Sequence, residues 1–265
     1  FEEASKFRAA RKLWYDLITE RYAPKNPKSA MLRFHTQVAG VSLTAQQPMN
    51  NIARVTIQAL AAVCGGTQSL HTNSYDEALG LPTEESATVA LRTQQIIAEE
   101  SGAANVVDPL GGSHLVEMLT DEIYEKSKSK ILEIEKMGGA MKSIEAGFQQ
   151  REIHEAAWDH LNQVESGDRK IVGVNHGVLE EEKMPPVLKP DADLGMRQKE
   201  KLAIIRQNRN AEAVEASLTA IRVEAANETN LFPLVIEALK HDCTLGEIIS
   251  AMKDEFGTYM APSGF

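Results

Sequence analysis

The spacing of apolar residues changes repeatedly between residue 31 and about residue 136. Short apolar runs typical of buried strands alternate there with longer segments in which apolar residues recur every three or four positions, as on a helix face. The pattern predicts strands at 31–39, 67–72 and 104–108 and helices at 48–64 and 84–101. Strand–helix units in series predict a parallel sheet with right-handed crossovers.

Residues at the ends of these helices agree with the assignment. Pro48 suits a first helical turn, and Thr83 followed by two glutamates is a suitable N-cap. Gly65 and Gly102 suit C-terminal stops. The strand-to-strand spacing is close to the roughly 31 residues per unit of an eight-stranded barrel, and a doubly wound open sheet is the alternative.

The flanking segments are mainly helical in pattern. The predicted elements are helices at 1–22 and 120–136, helices broken at Gly138, Gly139 and Gly147, a short strand within 169–177, a Pro- and acid-rich connector at 180–195, and helices at 196–227 and 231–256. Because the first helical pattern lacks a starting methionine and a cap, we expect a fragment, a processed product or a subunit completed by another chain.

Composition excludes several classes of function. The formal net charge of −10, without a basic cluster, disfavours nucleic acid or an anionic membrane as partner. Cys64 and Cys243 are too few for a disulfide framework or a zinc site, so a reducing, cytoplasmic location is predicted. No apolar run approaches the ~20 residues of a membrane helix.

Polar side chains collect where the predicted strands end, which is where parallel α/β proteins place their chemistry. His35 and Gln37 lie at the end of the first strand, and Asn73 and Glu77 follow the second. Helix capping and loop hydrogen bonding are the alternative explanation for any one of them. Neither His35 nor His71 has a second His or Cys at ligand spacing, so no metal site is predicted.

Long uninterrupted motifs carry a family resemblance. The segment LRFHTQVAGVSLTAQQPMNNIARVTIQALAAVCGGTQSLHTNSYDEALGLPT, followed by RTQQIIAEESG, DPLGGS and IVGVN, resembles the adenosylcobalamin-dependent acyl-CoA mutases. The resemblance implies an α/β chain: the C-terminal portion of a (β/α)8 TIM barrel over residues 1–165, then a mostly helical extension over 166–265 that leads toward a cobalamin-binding domain or subunit.

The resemblance also implies roles for individual residues. Those matching Asn73 and Glu77 hydrogen-bond the ribose of the adenosyl group, for which an amide and a carboxylate are chemically suitable. The other implied positions are His35 and Gln37 in the cavity between substrate and corrin, Gly40 and Ala78 against the corrin, and Gln68 and His71 facing the cavity. This chain has Val41 where many members have Trp.

The implied reaction is isomerisation of an acyl-CoA, either methylmalonyl-CoA to succinyl-CoA or a sibling rearrangement such as that of 2-hydroxyisobutyryl-CoA or isobutyryl-CoA. The implied partners are the acyl-CoA, the N-terminal part of the barrel and a cobalamin-binding domain or small subunit. Substrate-binding catalytic residues are expected upstream of this chain, and it contains no Asp-x-His-x-x-Gly cobalt-ligating motif. A non-catalytic structural subunit remains the alternative.

Overall fold

The computed structural model describes residues 1–181, 184–227 and 229–259. The chain divides into two compact units, Phe1–Leu188 and Lys189–Phe265. The domain boundary predicted between residues 165 and 166 stays a prediction, and part of the 180–195 connector lies outside the described residues. None of the described helices is both long and apolar enough to cross a membrane.

Helices make up most of the described chain. Those of the first unit are α1 (Glu2–Tyr22), α2 (Asn50–Cys64), α3 (Glu84–Glu100), α4 (His114–Lys136), α5 (Ala140–Glu145) and α6 (Phe148–Ser166). Those of the second unit are α7 (Leu194–Asn208), α8 (Ala211–Ala225), α9 (Phe232–Lys240) and α10 (Leu245–Phe256). The predicted N-cap is confirmed, since the Thr83 hydroxyl accepts from the Ser86 N–H. The predicted break at Gly147 is confirmed by a φ of 70°.

A short parallel sheet lies in the first unit. Strand β1 (His35–Gln37) pairs with β2 (Ser69–His71), with His35 opposite Ser69 and Gln37 opposite His71. Both strands are shorter than predicted. The parallel pairing is confirmed; in the described residues the sheet has these two strands, and a partial barrel is not seen.

The strand predicted at 104–108 is wrong. Ala103–Asn105 forms a 3-10 helix after Gly102, whose φ is 74°, and Asp108 has a φ of 49°. Left-handed residues at both ends prevent an extended run. The strand predicted within 169–177 is likewise reduced to a single bridge between Val172 and His176.

Helices α2 and α3 cover one face of the sheet. The buried cluster on this side contains Val38, Leu43, Val55, Ala59 and Ile97, with Val63 and Leu70 packed against it. Because side chains alternate along a strand, the first and third residues of each strand point to the opposite face and are exposed. These exposed residues are His35, Gln37, Ser69 and His71.

Helix α1 packs along α4 through Ala9, Leu13 and Tyr124. The Arg8 guanidinium donates to both carboxylate oxygens of Asp108 at 2.7 Å and to those of Glu117 at 2.7 and 2.8 Å. The pKa of Glu117 is lowered, first by the hydrogen bond from the Gly112 N–H and then by Arg8. Arg8 therefore fixes the DPLGGS segment against α1.

The prediction of two continuous helices, at 196–227 and 231–256, was wrong, because each is divided into two helices. Asn210 accepts from the N–H groups of Glu212 and Ala213 and thereby starts α8 as a new helix. Thr244 and Glu247 form a capping box that starts α10. In both places a side chain that satisfies free N–H groups makes a new helix start more favourable than a continuous helix.

The second unit should lose stability in acid through Glu247. Arg209 donates to both carboxylate oxygens of Glu247, at 2.6 and 2.7 Å. Arg209 first, and then the hydrogen bonds with Thr244, lower the pKa of Glu247 from 4.5 to about 2. A lowered folded-state pKa gives stability that is complete above the unfolded value and is lost as the pH falls through the folded value. We expect Glu247→Gln to cost about 1–2 kcal/mol at pH 7, after allowance for solvent screening, and progressively less between pH 4.5 and 2.

The measurement is chemical denaturation of wild type and Glu247→Gln at pH 7, 4 and 3, followed by hydrogen exchange in α8 and α10. Glu237→Gln is the matched control, because Glu237 pairs with Lys240 on one exposed helix face. Such a solvent-screened surface pair contributes little to stability. A Glu247→Gln deficit that does not shrink in acid contradicts the prediction.

Candidate active site

The loops that follow β1 and β2 meet at the carboxyl end of the sheet. The buried Asn73 side chain, 2% exposed, donates from Nδ2 to the Val38 carbonyl at 3.1 Å. The Gln37 Nε2 donates to Asn73 Oδ1 at 3.3 Å. The Asn73 amide is thus held in one orientation by groups from the end of the neighbouring strand.

Gly40 completes this arrangement because its backbone comes close to the two polar side chains. A Cβ built on Gly40 would lie 3.0 Å from Asn73 Nδ2 and 3.6 Å from Glu77 Oε1. A side chain at position 40 would therefore press on the Asn73 amide. We call Gln37, Gly40, Asn73 and Glu77 the cradle. Its Glu77 side chain is exposed, so the carboxylate can reach a ligand.

The two histidines lie on the exposed face of the sheet, beside the cradle. His35 Nδ1 is 2.7 Å from Ser69 Oγ, across the strand pair. His71 lines a cavity of about 220 Å³ together with Glu77 and, from α3, Gln94. By the alternation along the two strands, both imidazoles share the exposed face of the sheet with Gln37. The assignment of His35 and His71 to a substrate or cofactor cavity stays a prediction.

The other positions singled out by the family resemblance are Ala78, Val41 and Gln68. Ala78 follows Glu77 and is exposed, and Val41 follows Gly40 with its side chain fully exposed. Gln68 lies at the opposite, amino end of β2. Its Oε1 accepts from the Phe34 N–H at 2.7 Å, and its Nε2 donates to the Gly66 carbonyl at 2.8 Å. The structure does not bring Gln68 to the cradle.

A basic cavity at this amino end was not identified from the sequence. It has a volume of about 540 Å³, and its lining includes Arg11, Lys28 and Arg33. Arg11 donates to the Gly65 carbonyl at 2.6 Å, and burial lowers its pKa. The only signal in the sequence was a few separated basic residues, which do not form a run. Folding brings these cationic side chains together, although the chain as a whole carries a net negative charge. Their positive charge makes the cavity suitable for an anion.

Asp76 holds the loop between β2 and α3. It is 1% exposed, and its Oδ2 accepts from the Thr83 N–H at 3.2 Å, while its own carbonyl accepts from the Leu79 and Gly80 N–H groups. Its buried Oδ1 has no hydrogen-bond partner in the described part of the chain. The carboxylate therefore ties the residue before Glu77 to the start of α3.

The described residues contain no group of three or more His, Cys, Asp or Glu side chains arranged to hold a metal ion. The cradle instead offers an amide, a carboxylate and an open backbone surface. Amides both donate and accept, and carboxylates accept, so a vicinal diol is the kind of ligand that they can bind together. A ribose carries such a diol, and the assignment of Asn73 and Glu77 to it stays a prediction.

Comparison with known proteins decides the family. The family model described as methylmalonyl-CoA mutase matches residues 1–258. The chain belongs to the methylmalonyl-CoA mutase family. The family resemblance found in the sequence is thereby confirmed.

Relatives of this family align with nearly the whole chain. The "Probable methylmalonyl-CoA mutase, mitochondrial" of Caenorhabditis elegans is 50% identical over 262 residues, covering 98% of this chain and 35% of the relative. The 2-hydroxyisobutanoyl-CoA mutase large subunit of Aquincola tertiaricarbonis is 46% identical, covering 98% of this chain and 46% of the relative. The methylmalonyl-CoA mutase of Escherichia coli (strain K12) is 44% identical, covering 99% and 37%.

The chain therefore spans less than half the length of these mutase relatives. The names include two different acyl-CoA substrates at nearly equal identity, so family membership alone does not select between them. Relatives named as mitochondrial are among the matches, and the cytoplasmic location stays a prediction.

Proposed function

We propose that this chain forms part of an adenosylcobalamin-dependent acyl-CoA mutase, an isomerase that rearranges the carbon skeleton of methylmalonyl-CoA to succinyl-CoA. The observation that carries the proposal is the cradle: Gln37, Gly40, Asn73 and Glu77 meet at the carboxyl end of a parallel strand pair. The family match over residues 1–258 supports the same reaction class.

The cradle fits an adenosyl group in shape and in chemistry. Gly40 leaves the space that a Cβ would fill, and the adjacent Asn73 and Glu77 provide donors and acceptors for ribose hydroxyls. Exposed small side chains at Val41 and Ala78 leave the rim open to a large planar group. When bound, adenosylcobalamin supplies a carbon radical by homolysis of its cobalt–carbon bond.

The protein residues bind and orient, and the surrounding barrel excludes water and competing reactants. Gln37 holds the Asn73 amide through its Oδ1, which leaves Asn73 with a fixed orientation before any ligand arrives. A fixed donor loses little entropy on binding, so its interaction contributes more fully to positioning. His35 lies on the same exposed sheet face as Gln37, next to the cradle, where the acyl group would be held.

The basic cavity suits the phosphates of coenzyme A. Arg33 and Lys28 lie at the amino end of the strands, and the cradle lies at the carboxyl end, so a long acyl-CoA can extend along the exposed sheet face between them. Arginine binds phosphate through bidentate, charge-assisted hydrogen bonds.

We expect Arg33→Ala to raise the KM for acyl-CoA about tenfold with little change in kcat. The lost phosphate contact would stabilise the bound substrate and the transition state equally. Steady-state kinetics of the complete enzyme measure this effect. Arg92→Ala is the control, since Arg92 lies on an exposed surface of α3 and hydrogen-bonds Gln95. An unchanged KM for Arg33→Ala contradicts a role of this cavity in phosphate binding.

The proposed partners complete the fold and the cofactor site. In the part of the chain that the structure describes, the two parallel strands have unpaired edges, which the N-terminal part of a (β/α)8 barrel would pair. A cobalamin-binding domain or small subunit would carry the corrin to the open rim of the cradle. One relative is named 2-hydroxyisobutanoyl-CoA mutase large subunit, so 2-hydroxyisobutyryl-CoA is the second candidate substrate.

The decisive experiment assays the complete enzyme with methylmalonyl-CoA, 2-hydroxyisobutyryl-CoA and isobutyryl-CoA, with and without adenosylcobalamin. We expect cofactor-dependent isomerisation of methylmalonyl-CoA, and a large loss in Glu77→Ala. Glu99→Ala, at an exposed position near the end of α3, is the control. Isomerisation of none of the three thioesters, or full activity in Glu77→Ala, overturns the proposal in favour of a structural subunit.

A further inference from the structure

Asn51 links the two loops that form the cradle. It lies in the first turn of α2 and is 0% exposed. Its Nδ2 donates to the Thr44 carbonyl at 2.9 Å and to the Tyr75 carbonyl at 2.9 Å. Thr44 belongs to the loop after β1 and Tyr75 to the loop after β2, so one buried amide fixes the distance between the loops.

Both bonds are made close to cradle residues. Thr44 follows a tight turn in which the Leu43 N–H donates to the Gly40 carbonyl, so a shift at Thr44 is passed to Gly40. Tyr75 lies between Asn73 and Glu77, and the Glu77 N–H donates to the Ser74 carbonyl. The Asn51 amide thus acts on Gly40 from one side and on Asn73 and Glu77 from the other.

The acceptor side of Asn51 is also fully used. Its Oδ1 accepts from the Thr44 N–H at 3.1 Å and from Arg54 Nη1 at 2.8 Å. Arg54 also donates to Thr44 Oγ1 at 2.9 Å and to the Val172 carbonyl at 2.7 Å. A hydrogen-bond network built around a buried amide whose donors and acceptor are all used favours a single arrangement of the groups that it joins.

We propose that Asn51 is a positioning residue that sets the separation of Gly40 from Asn73 and Glu77, and so determines how tightly the adenosyl group is held. The inference rests on the proposed function. Asn51 does not reach the ligand itself, because it is buried behind the loops. A Cβ on Gly40 would already be only 3.0 Å from Asn73, so small changes in loop separation alter the space available to a ligand.

Asn51→Asp tests this role with little change in size. The carboxylate still accepts from the Thr44 N–H and from Arg54, but it cannot donate to the Thr44 and Tyr75 carbonyls. The two bonds that join the loops are therefore lost selectively. Asn50→Asp is the matched control, because the preceding residue is exposed and donates to Gln47 instead.

The measured quantity is the ratio of affinities for adenosylcobalamin and hydroxocobalamin, which lacks the adenosyl group, in the complete enzyme. We expect Asn51→Asp to lower this ratio about tenfold, which corresponds to about 1.4 kcal/mol, and Asn50→Asp to leave it unchanged. A purely structural role would weaken both cobalamins equally and leave the ratio unchanged, which overturns the inference.

The outcomes separate this inference from the proposed function. If the wild-type enzyme does not bind adenosylcobalamin more tightly than hydroxocobalamin, the proposed function of the cradle fails. If the wild-type enzyme discriminates and Asn51→Asp discriminates equally well, the positioning role of Asn51 fails. Should Asn51→Asp not fold, Arg54→Met carries the test. It removes the Arg54 bonds to Asn51, Thr44 and Val172 but keeps the two Asn51 donations that join the loops, so the expected fall is about threefold.

Discussion

Under the proposed function, replacement of Asn73 by Ala is expected to lower the adenosylcobalamin-dependent turnover of the complete enzyme about 100-fold, equivalent to ~2.7 kcal/mol of transition-state stabilisation. The substitution removes an amide that is buried, oriented by Gln37 and adjacent to Gly40. It also leaves the Val38 carbonyl without its side-chain donor. Positioning of the adenosyl group and the local loop structure would both suffer.

The two effects of this substitution can be separated. Loss of one buried hydrogen bond costs about 1–3 kcal/mol of stability, which thermal denaturation measures independently of turnover. Asn73→Asp retains the size of the side chain and the acceptor for Gln37, but it lacks the donor to Val38. We expect Asn73→Asp to recover only part of the lost activity, while Gln95→Ala on the exposed face of α3 has no effect. Activity near wild type in Asn73→Ala would contradict a role of the cradle in catalysis.

The position of the cradle was predictable because it depends on local patterns. An apolar run followed by polar residues marks the end of a buried strand, and parallel strands place those ends at one edge. The rule places His35 and Gln37 at the end of the first strand, and it places Asn73 and Glu77 after the second. What the rule does not provide is the contact between the two sets, which depends on the register of His35 opposite Ser69.

Gln68 shows where the sequence interpretation was too coarse. Alternation along a strand places Ser69 and His71 on one face, whereas Gln68, three positions before His71, points differently. Its amide is used to bridge Phe34 and Gly66 at the amino end of the sheet. A strict period-two count along the strand separates Gln68 from the cavity residues. Its assignment to the cofactor site remains a prediction that the geometry does not favour.

Asn51 could not be recognised from the sequence. An asparagine at the start of a helix is ordinarily explained as a cap or as a solvated polar residue. Its side chain bonds the loop after β1 and the loop after β2, and these loops are separated in the sequence by α2 and β2. Long-range hydrogen bonding of this kind leaves no periodic signal. For the same reason, the basic cavity at Arg33 and Lys28 is visible only in three dimensions.

The segments that were wrongly predicted share a different cause. The run at 104–108 has the composition of a strand, but Val107 is 97% exposed and Asp108 is held by Arg8 in a left-handed conformation. In the second unit, the helical pattern continues through Asn210 and Thr244, where side-chain caps start new helices. Apolar periodicity reports which face is buried, and it does not report where a backbone turns.

The second unit should depend strongly on one buried side chain, Ile221 of α8. It is 0% exposed and packs in a cluster formed by α8, α9 and α10. Truncation of a buried Ile to Ala removes apolar contacts and leaves a cavity, at a cost of about 2–5 kcal/mol. The other buried residues of the cluster are Val214, Leu218, Ala238, Cys243, Ile248 and Ala251.

We expect Ile221→Ala to lower the free energy of unfolding of residues 189–265 by about 3 kcal/mol, and to accelerate hydrogen exchange in α8 and α10 about 100-fold. Ile221→Val is the graded control, with an expected cost of about 1 kcal/mol because it removes a single methylene group. Both tryptophans, Trp14 and Trp158, lie in the first unit, so hydrogen exchange in α8 and α10 is the direct measurement for the second unit. A cost below 1 kcal/mol for Ile221→Ala would show that this cluster does not hold α8, α9 and α10 together.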